Sequence, residues 1–250
     1  MRRPCCIDNR MADGEQLPEG LYVYQNIRTQ GCRPLCTERH VDSLRRAAAE
    51  VLCTLPDIDD RTVARSITSL LERGGYPSDM ASYATVRYYA SGQTVILGGD
   101  ILPYARISIR TVYPRGAVVD YDPPFSDYPS SLSLAALQAA RIRARAAGAE
   151  AVIRRNTRGL IASAEESPLF AVCGDEVVVS SATVSSAEFD TACKAIAAAG
   201  LTLRIDDLTA AGLEAADEAF FIDHRGITAL SRCGERTYMH LLAHRIAKHL

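Results

Sequence analysis

The apolar positions of this chain change period along its length, and the changes outline its elements. Residues 19–28 (Glu-Gly-Leu-Tyr-Val-Tyr-Gln-Asn-Ile-Arg) are rich in aromatic and β-branched side chains and predict a strand. A Thr-Gln-Gly turn leads to a second short strand at 33–36. The spacing then becomes helical: Val41, Leu44, Ala48 and Val51 form one stripe, with Thr37 as the expected cap. Val63, Ile67, Leu70 and Leu71 form a second, capped by Asp59 or Asp60 and stopped at Gly74-Gly75. Strands are predicted at 83–90, 94–97 and 106–113.

Residues 120–129 (Asp-Tyr-Asp-Pro-Pro-Phe-Ser-Asp-Tyr-Pro) interrupt the pattern and read as an interdomain linker. A small N-terminal α/β domain is thus expected over 1–119 and a larger C-terminal domain over 130–250. Beyond the linker, Ser130, Ser131 and Ser133 offer hydroxyls ahead of an alanine-rich helix that stops at Gly148. Short strands follow at 151–154, 160–162, 169–172 and 176–180. A helix opens at Ser185-Ser186, turns Phe189, Cys193 and Ile196 inward, and ends at Gly200. A strand at 201–205 and a short helix at 206–216 come next. The last helix is expected over 235–250, with Met239, Leu242, Ile246 and Leu250 as its buried stripe.

Composition narrows the classes of function. With 250 residues, 48% hydrophobic and 23% charged, the chain is long enough for two modest lobes. A net charge of −2 without a basic tract argues against nucleic acid as a partner. No apolar run approaches the roughly 18 residues of a membrane span, and the N-terminus lacks the apolar core of a signal peptide. The 8 cysteines are irregularly spaced, as in a reducing compartment, so a cytoplasmic location is expected. Cys5, Cys6, Cys32, Cys36 and His40 offer the residue types of a zinc site, but a strand end and a helix start separate Cys36 from His40. His240, His244 and Lys248 fall at i, i+4 and i+8 and read as a solvated basic face, so no metal is expected.

Several stretches share an order and spacing with a known family. They are His40-Val41-Asp42-Ser43-Leu44, the run from Pro129 to Gly148 with Leu132 and its Ala-x-x-x-Gly end, Leu169-Phe170, Asp217-Glu-Ala-Phe-Phe, and Gly226-Ile227-Thr228. Together they resemble the fold-type IV (class IV) aminotransferases and their relatives the aminodeoxychorismate lyases, over about residues 17–233. The resemblance implies an α/β (α+β) two-domain chain of the D-amino-acid and branched-chain aminotransferase kind, a homodimer, and pyridoxal 5'-phosphate as the family's cofactor.

The same alignment marks departures. The position of the cofactor-binding lysine is Ser130, that of the phosphate-gripping arginine is Ser43, and that of the glutamate facing the pyridine nitrogen is Ser163. Arg45 and Arg46 lie about 200° and 300° around the helix from Ser43, so neither substitutes simply. Glu165 would reach the glutamate's place only through a shifted register. Glu188 and Asp190 stand in the first turn of the helix that should bind phosphate, where they suit the helix dipole but repel the anion. Lys194 and Lys248 are the lysines of the chain, and both look misplaced. An arginine cannot take over, since its guanidinium stays protonated and forms no imine.

No cofactor and no catalytic residue are therefore expected, and the first reading is a class IV aminotransferase-like pseudoenzyme. It would keep a cleft for a small molecule, with Tyr22, Arg87, His224 and Thr228 as candidate cleft residues. Arg87 matches a common family arginine, but reads first as a structural arginine paired with a carboxylate across the small sheet. His224 reads as a general base or as a loop histidine bonded to a neighbouring acid. The second reading is an active pyridoxal phosphate transaminase or lyase using a displaced lysine. A third is a cofactor-free enzyme using Ser130, Tyr22, Arg87 or His224, for which no nucleophile–base pair is visible.

Overall fold

A computed structural model of the chain describes residues 4–12, 17–104, 106 and 108–250. They fall into two compact units: Met1–Arg106 with Tyr128–Ser133, and Ile107–Asp127 with Leu134–Leu250. Residues 120–127 thus belong to the second unit, and Tyr128 to Ser133 to the first.

The first unit holds β1 (Cys5–Ile7), β2 (Arg10–Ala12), β3 (Tyr22–Gln30), β4 (Arg33–Pro34), α1 (Thr37–Leu52), α2 (Asp60–Arg73), β5 (Ala81–Tyr89) and β6 (Thr94–Gly98). Its six-stranded sheet runs β2-β1-β6-β5-β3-β4. β3 and β5 pair antiparallel from Tyr22↔Tyr89 to Gln30↔Ala81, and this register sorts the side chains. Val23, Ile27, Ala84 and Val86 face Val41, Leu44, Ile67 and Leu70 of the helices in one core. Each large aliphatic side chain buried there contributes roughly 2 kcal/mol. Tyr22, Tyr24, Asn26 and Arg28 of β3 point to the other face, with Thr85, Arg87 and Tyr89 of β5.

Asp59 caps α2 by accepting from the Thr62 amide at 2.8 Å. The start of α1 differs from expectation. Cys36 is its N-cap, left-handed at φ 53 with no side-chain cap bond, while Thr37 is the first helical residue. The helix is held by packing instead, and by the buried His40, whose Nδ1 lies 3.1 Å from Oε1 of buried Gln25 on β3.

The second unit holds β7 (Arg115–Asp120), α3 (Ser131–Ala146, its first turn in the other unit), β8 (Ala151–Arg155), β9 (Ile161–Ala164), β10 (Leu169–Cys173), β11 (Glu176–Ser180), α4 (Ala187–Ala198), β12 (Thr202–Asp206), α5 (Ala210–Ala215), β13 (Glu218–Asp223), β14 (Gly226–Ala229), β15 (Arg232–Cys233), β16 (Arg236–Thr237) and α6 (Leu241–Ala247). One five-stranded sheet runs β12-β11-β10-β13-β14 and the other β16-β15-β7-β8-β9. Phe170, Phe220 and Ile196 centre one core; Ile153, Leu169 and Phe221 centre another.

Two expectations are corrected here. The strand expected at 106–113 includes residue 107, outside the described residues, and over the rest only the bridge Ile109↔Ile227 forms. Residues 108–110 lie along β14, with Ile227 N–H donating to Ser108 at 2.9 Å and Arg110 N–H to Ile227 at 2.8 Å, and the strand begins only after Pro114, as β7. The last helix is shorter than expected. Gly234, at φ 55, turns the chain into β16, and α6 begins where the Glu218 carboxylate accepts the Leu242 and Ala243 amides. Met239 is consequently 54% exposed, whereas Leu242, Ile246 and Leu250 pack on the core.

Candidate functional site

Ser130 is fully buried and stands immediately before α3. Its amide donates to Ser133 Oγ at 2.8 Å, and the Ser133 amide donates to Ser130 Oγ at 3.1 Å. This is the reciprocal bonding of a capping box, with both partners serine. The segment is also stitched to β3, where the Tyr24 amide donates to the Pro129 carbonyl at 3.0 Å and the Tyr22 amide to Ser131 Oγ at 3.3 Å. Ser130 therefore serves as a helix cap. Ser43 is 9% exposed on α1 and accepts from the Arg46 guanidinium at 3.2 Å.

The sheet brings Tyr22 and Arg87 together, as the register predicts for neighbours on one face. The Arg87 guanidinium carbon sits 4.6 Å over the Tyr22 ring, and Tyr22 and Tyr89 have centroids 5.1 Å apart. Arg87 Nη1 lies 3.5 Å from the Tyr89 hydroxyl, at the limit of a hydrogen bond. Its Nε is buried without a hydrogen-bond partner, and among the described residues no carboxylate pairs with it. Among the described residues an aromatic face lies against this cation.

In the second unit, Ser163 on β9 accepts from Arg154 Nε at 3.4 Å. Glu165 and Glu166 form the next turn, left-handed at φ 49 and 65, where glycine or asparagine would be usual. Glu165 is held there because Arg141 of α3 donates to one carboxylate oxygen and the Val152 amide, at 2.9 Å, to the other. Both oxygens are engaged.

The β13–β14 turn carries His224 between Asp223 and Arg225. Asp223 accepts from the Arg225 amide at 2.7 Å and from its Nε at 2.8 Å. Thr228 is fully buried and accepts from Arg110 Nη1 at 3.1 Å. At α4 the Ser186 hydroxyl accepts the Phe189 amide at 3.1 Å, and Glu188 and Asp190 occupy the first turn. That helix start is capped by its own Ser186 and carries two acidic side chains.

Two of these carboxylates link folding to pH. For Asp223, burial opposes ionisation, but the charges of Arg225 and His224 and the Arg225 hydrogen bonds outweigh it, holding the carboxyl below its usual range. Asp122 is also held low: burial opposes, and hydrogen bonds from Thr157 and Ser126 with the charge of Arg154 prevail. A carboxyl depressed in the folded state adds stability above its unfolded pKa and loses it as pH falls through the folded value. The thermal midpoint is thus expected to fall below about pH 4, and less steeply in Asp223→Asn, as pH-dependent melting will show.

The lysines and thiols complete the inventory. Lys194 on α4 and Lys248 at the end of α6 are both exposed. Burial raises the thiol pKa of Cys5, Cys6 and Cys32. Among the described residues no cluster of His, Cys, Asp or Glu has a metal-binding arrangement, and no helix is long and apolar enough to cross a membrane. Sequence reasoning missed Arg154 and Arg110. The signal for Arg154 was an arginine inside the buried run Ala-Val-Ile-Arg, across from an aspartate-rich loop; nothing local marked Arg110. At the positions that the resemblance assigns to the cofactor's anchors, Ser130 is a helix cap, Ser43 accepts from Arg46, Ser163 accepts from Arg154, and the α4 start is acidic.

Comparison with known proteins follows the same lines. The structure resembles a branched-chain aminotransferase from Thermoproteus uzoniensis crystallised with norvaline, with TM-score 0.79 and 18% identity over 98% of this chain and 92% of that one. An aminotransferase from Brucella abortus bound to PLP gives TM-score 0.81 and 16% identity, over 98% and 96%. A hypothetical aminotransferase from Mycobacterium tuberculosis, in apo form, gives 0.81 and 14%, over 99% and 96%. Among curated protein sequences none matches. The model of the amino-transferase class IV family matches residues 22–223, most of the chain, and the protein belongs to that family.

Proposed function

We propose that this chain is a class IV aminotransferase-like protein that does not use pyridoxal phosphate and instead binds a small carboxylate-bearing molecule, as a homodimer. The observation that carries the reading is at Ser130. A residue there must supply an amine to capture the cofactor's aldehyde. This chain has a buried hydroxyl committed to a helix cap, and its lysines are exposed on helices elsewhere. The loss of each further polar anchor costs about 1–3 kcal/mol of cofactor binding, so the departures at Ser43, Ser163 and α4 compound.

Arg87 supports the ligand class. Among the described residues no carboxylate pairs with the Arg87 guanidinium, and a ligand carboxylate reaching its terminal nitrogens beside Tyr22 would supply that partner. His224 and Thr228, engaged near Asp223 and with Arg110, are assigned no chemistry beyond the candidate set.

The test adds pyridoxal phosphate to purified protein and records the visible absorbance of a lysine-bound cofactor. No such band is expected, for the natural chain or for Ser130→Lys alone. A band in the natural chain that disappears in Lys194→Ala or Lys248→Ala would instead establish the active enzyme with a displaced lysine. Thermal-shift measurements with small mono- and dicarboxylates test the ligand class: stabilisation is expected in the natural chain and not in Arg87→Met.

A further inference from the structure

Arg154 occupies an unusual place. It is 4% exposed on β8, beside the fully buried Val152 and Ile153, and every arm of its guanidinium is used. Nη1 donates to Asp122 Oδ1 at 3.0 Å and to the Ser126 hydroxyl, Nη2 donates to Asp127 Oδ1 at 2.6 Å, and Nε reaches Ser163. Asp122 in turn accepts the Thr157 amide and hydroxyl, each at 3.1 Å, and the Ser126 hydroxyl at 3.0 Å. Three partners thus lie in one loop, 122–127, and bracket Phe125.

That loop is not relaxed. The Ser126 amide closes a turn on the Pro123 carbonyl at 3.1 Å, with Pro124 at the second position and Phe125 at the third. Phe125 sits at φ 59, the left-handed conformation for which such a turn takes glycine, and 47% of it faces solvent. A bulky residue held there costs on the order of 1 kcal/mol and persists only where its surroundings impose it. Burial of the aromatic ring does not repay that cost. Among the surroundings that hold it are the bonds to Arg154 on both sides of Phe125.

We propose that Arg154 is a latch: a buried positioning residue that holds the loop 122–127 in a strained turn and displays Phe125, and whose release lets this loop open while the rest of its unit stays folded. The strain sets the direction. Once the guanidinium bonds are lost, Phe125 relaxes out of the left-handed region and the Ser126 amide leaves Pro123. The inference does not depend on how the cofactor question is resolved, because it concerns only groups within one unit.

Hydrogen exchange read by mass spectrometry on the full chain tests it. In Arg154→Met, exchange across 125–127 is expected to quicken at least about tenfold, with β10 and β11 unchanged, the signature of local rather than global opening. Adding Phe125→Gly should slow it again, because glycine accepts the left-handed turn without strain. A loop that exchanges as in the natural chain, or a rise spread evenly over the unit, overturns the latch. Should Arg154→Met fail to fold, Asp127→Asn removes only the charge of one exposed partner. A smaller rise confined to 125–127 then supports the proposal, and no change overturns it.

Discussion

Gly226→Ala is expected to destabilise the protein by about 3–5 kcal/mol, lowering the thermal midpoint by roughly 6–20 °C for a chain of this size. Two costs add. Gly226 has φ 121, a conformation that side chains bearing a Cβ rarely adopt. A Cβ built there would also lie 2.3 Å from the Ser108 carbonyl oxygen, which is backbone and cannot swing aside. The neighbouring bonds from Ile227 to Ser108 and from Arg110 to Ile227 must then lengthen, loosening the segment before β7 from β14. Urea unfolding of the purified variant checks this, and a midpoint within error of the natural chain would show that neither the φ of Gly226 nor its approach to Ser108 excludes a side chain. The prediction also gives the retained Gly-Ile-Thr a structural reason: the glycine is needed by the backbone passing beside it.

Glu218→Ala is the second large effect, at about 2–5 kcal/mol. Glu218 is 2% exposed, and its two carboxylate oxygens accept the Leu242 amide at 2.8 Å and the Ala243 amide at 2.9 Å. A carboxylate at a helix start is favoured by the helix dipole as well as by the bonds. Truncation leaves two amides without their acceptor and a cavity beneath α6, a helix of only 7 residues that has little stability of its own. Glu218→Gln, which keeps one acceptor, should cost less than half as much. Exchange at 241–247 should rise in both variants before the core loosens. Equal stability of Glu218→Ala and the natural chain would remove the carboxylate's role as a cap. The adjacent Asp217 is likewise structural, accepting from the Gly174 amide at 3.0 Å and from Arg236 at 3.2 Å.

Much of the fold was legible because it is written in local period. The alternation around Val23 and Ile27, the stripes of α1 and α2 and the caps at Asp59 and Ser186 depend on residues a few positions apart, so reading along the chain finds them. The errors fall where a distant group decides. The start of α6 is set by Glu218, more than twenty residues earlier, and 108–110 are drawn onto β14 and away from a strand of their own.

The candidate site divides in the same way. That Ser130, Ser43 and Ser163 carry no amine, guanidinium or carboxylate follows from residue identity alone, because no arrangement of a hydroxyl supplies those groups. The local cap of Ser130 on Ser133 was foreshadowed by the hydroxyls ahead of the helix, but the longer contacts were settled only by tertiary structure. Arg87 rests on Tyr22 through strand pairing, and Arg154 gathers Asp122, Ser126 and Asp127 from a loop some thirty residues away. Chemistry missing from a side chain can be read in one dimension; a hydrogen bond or an ion pair needs two groups brought within about 3 Å, and only the folded chain fixes that distance.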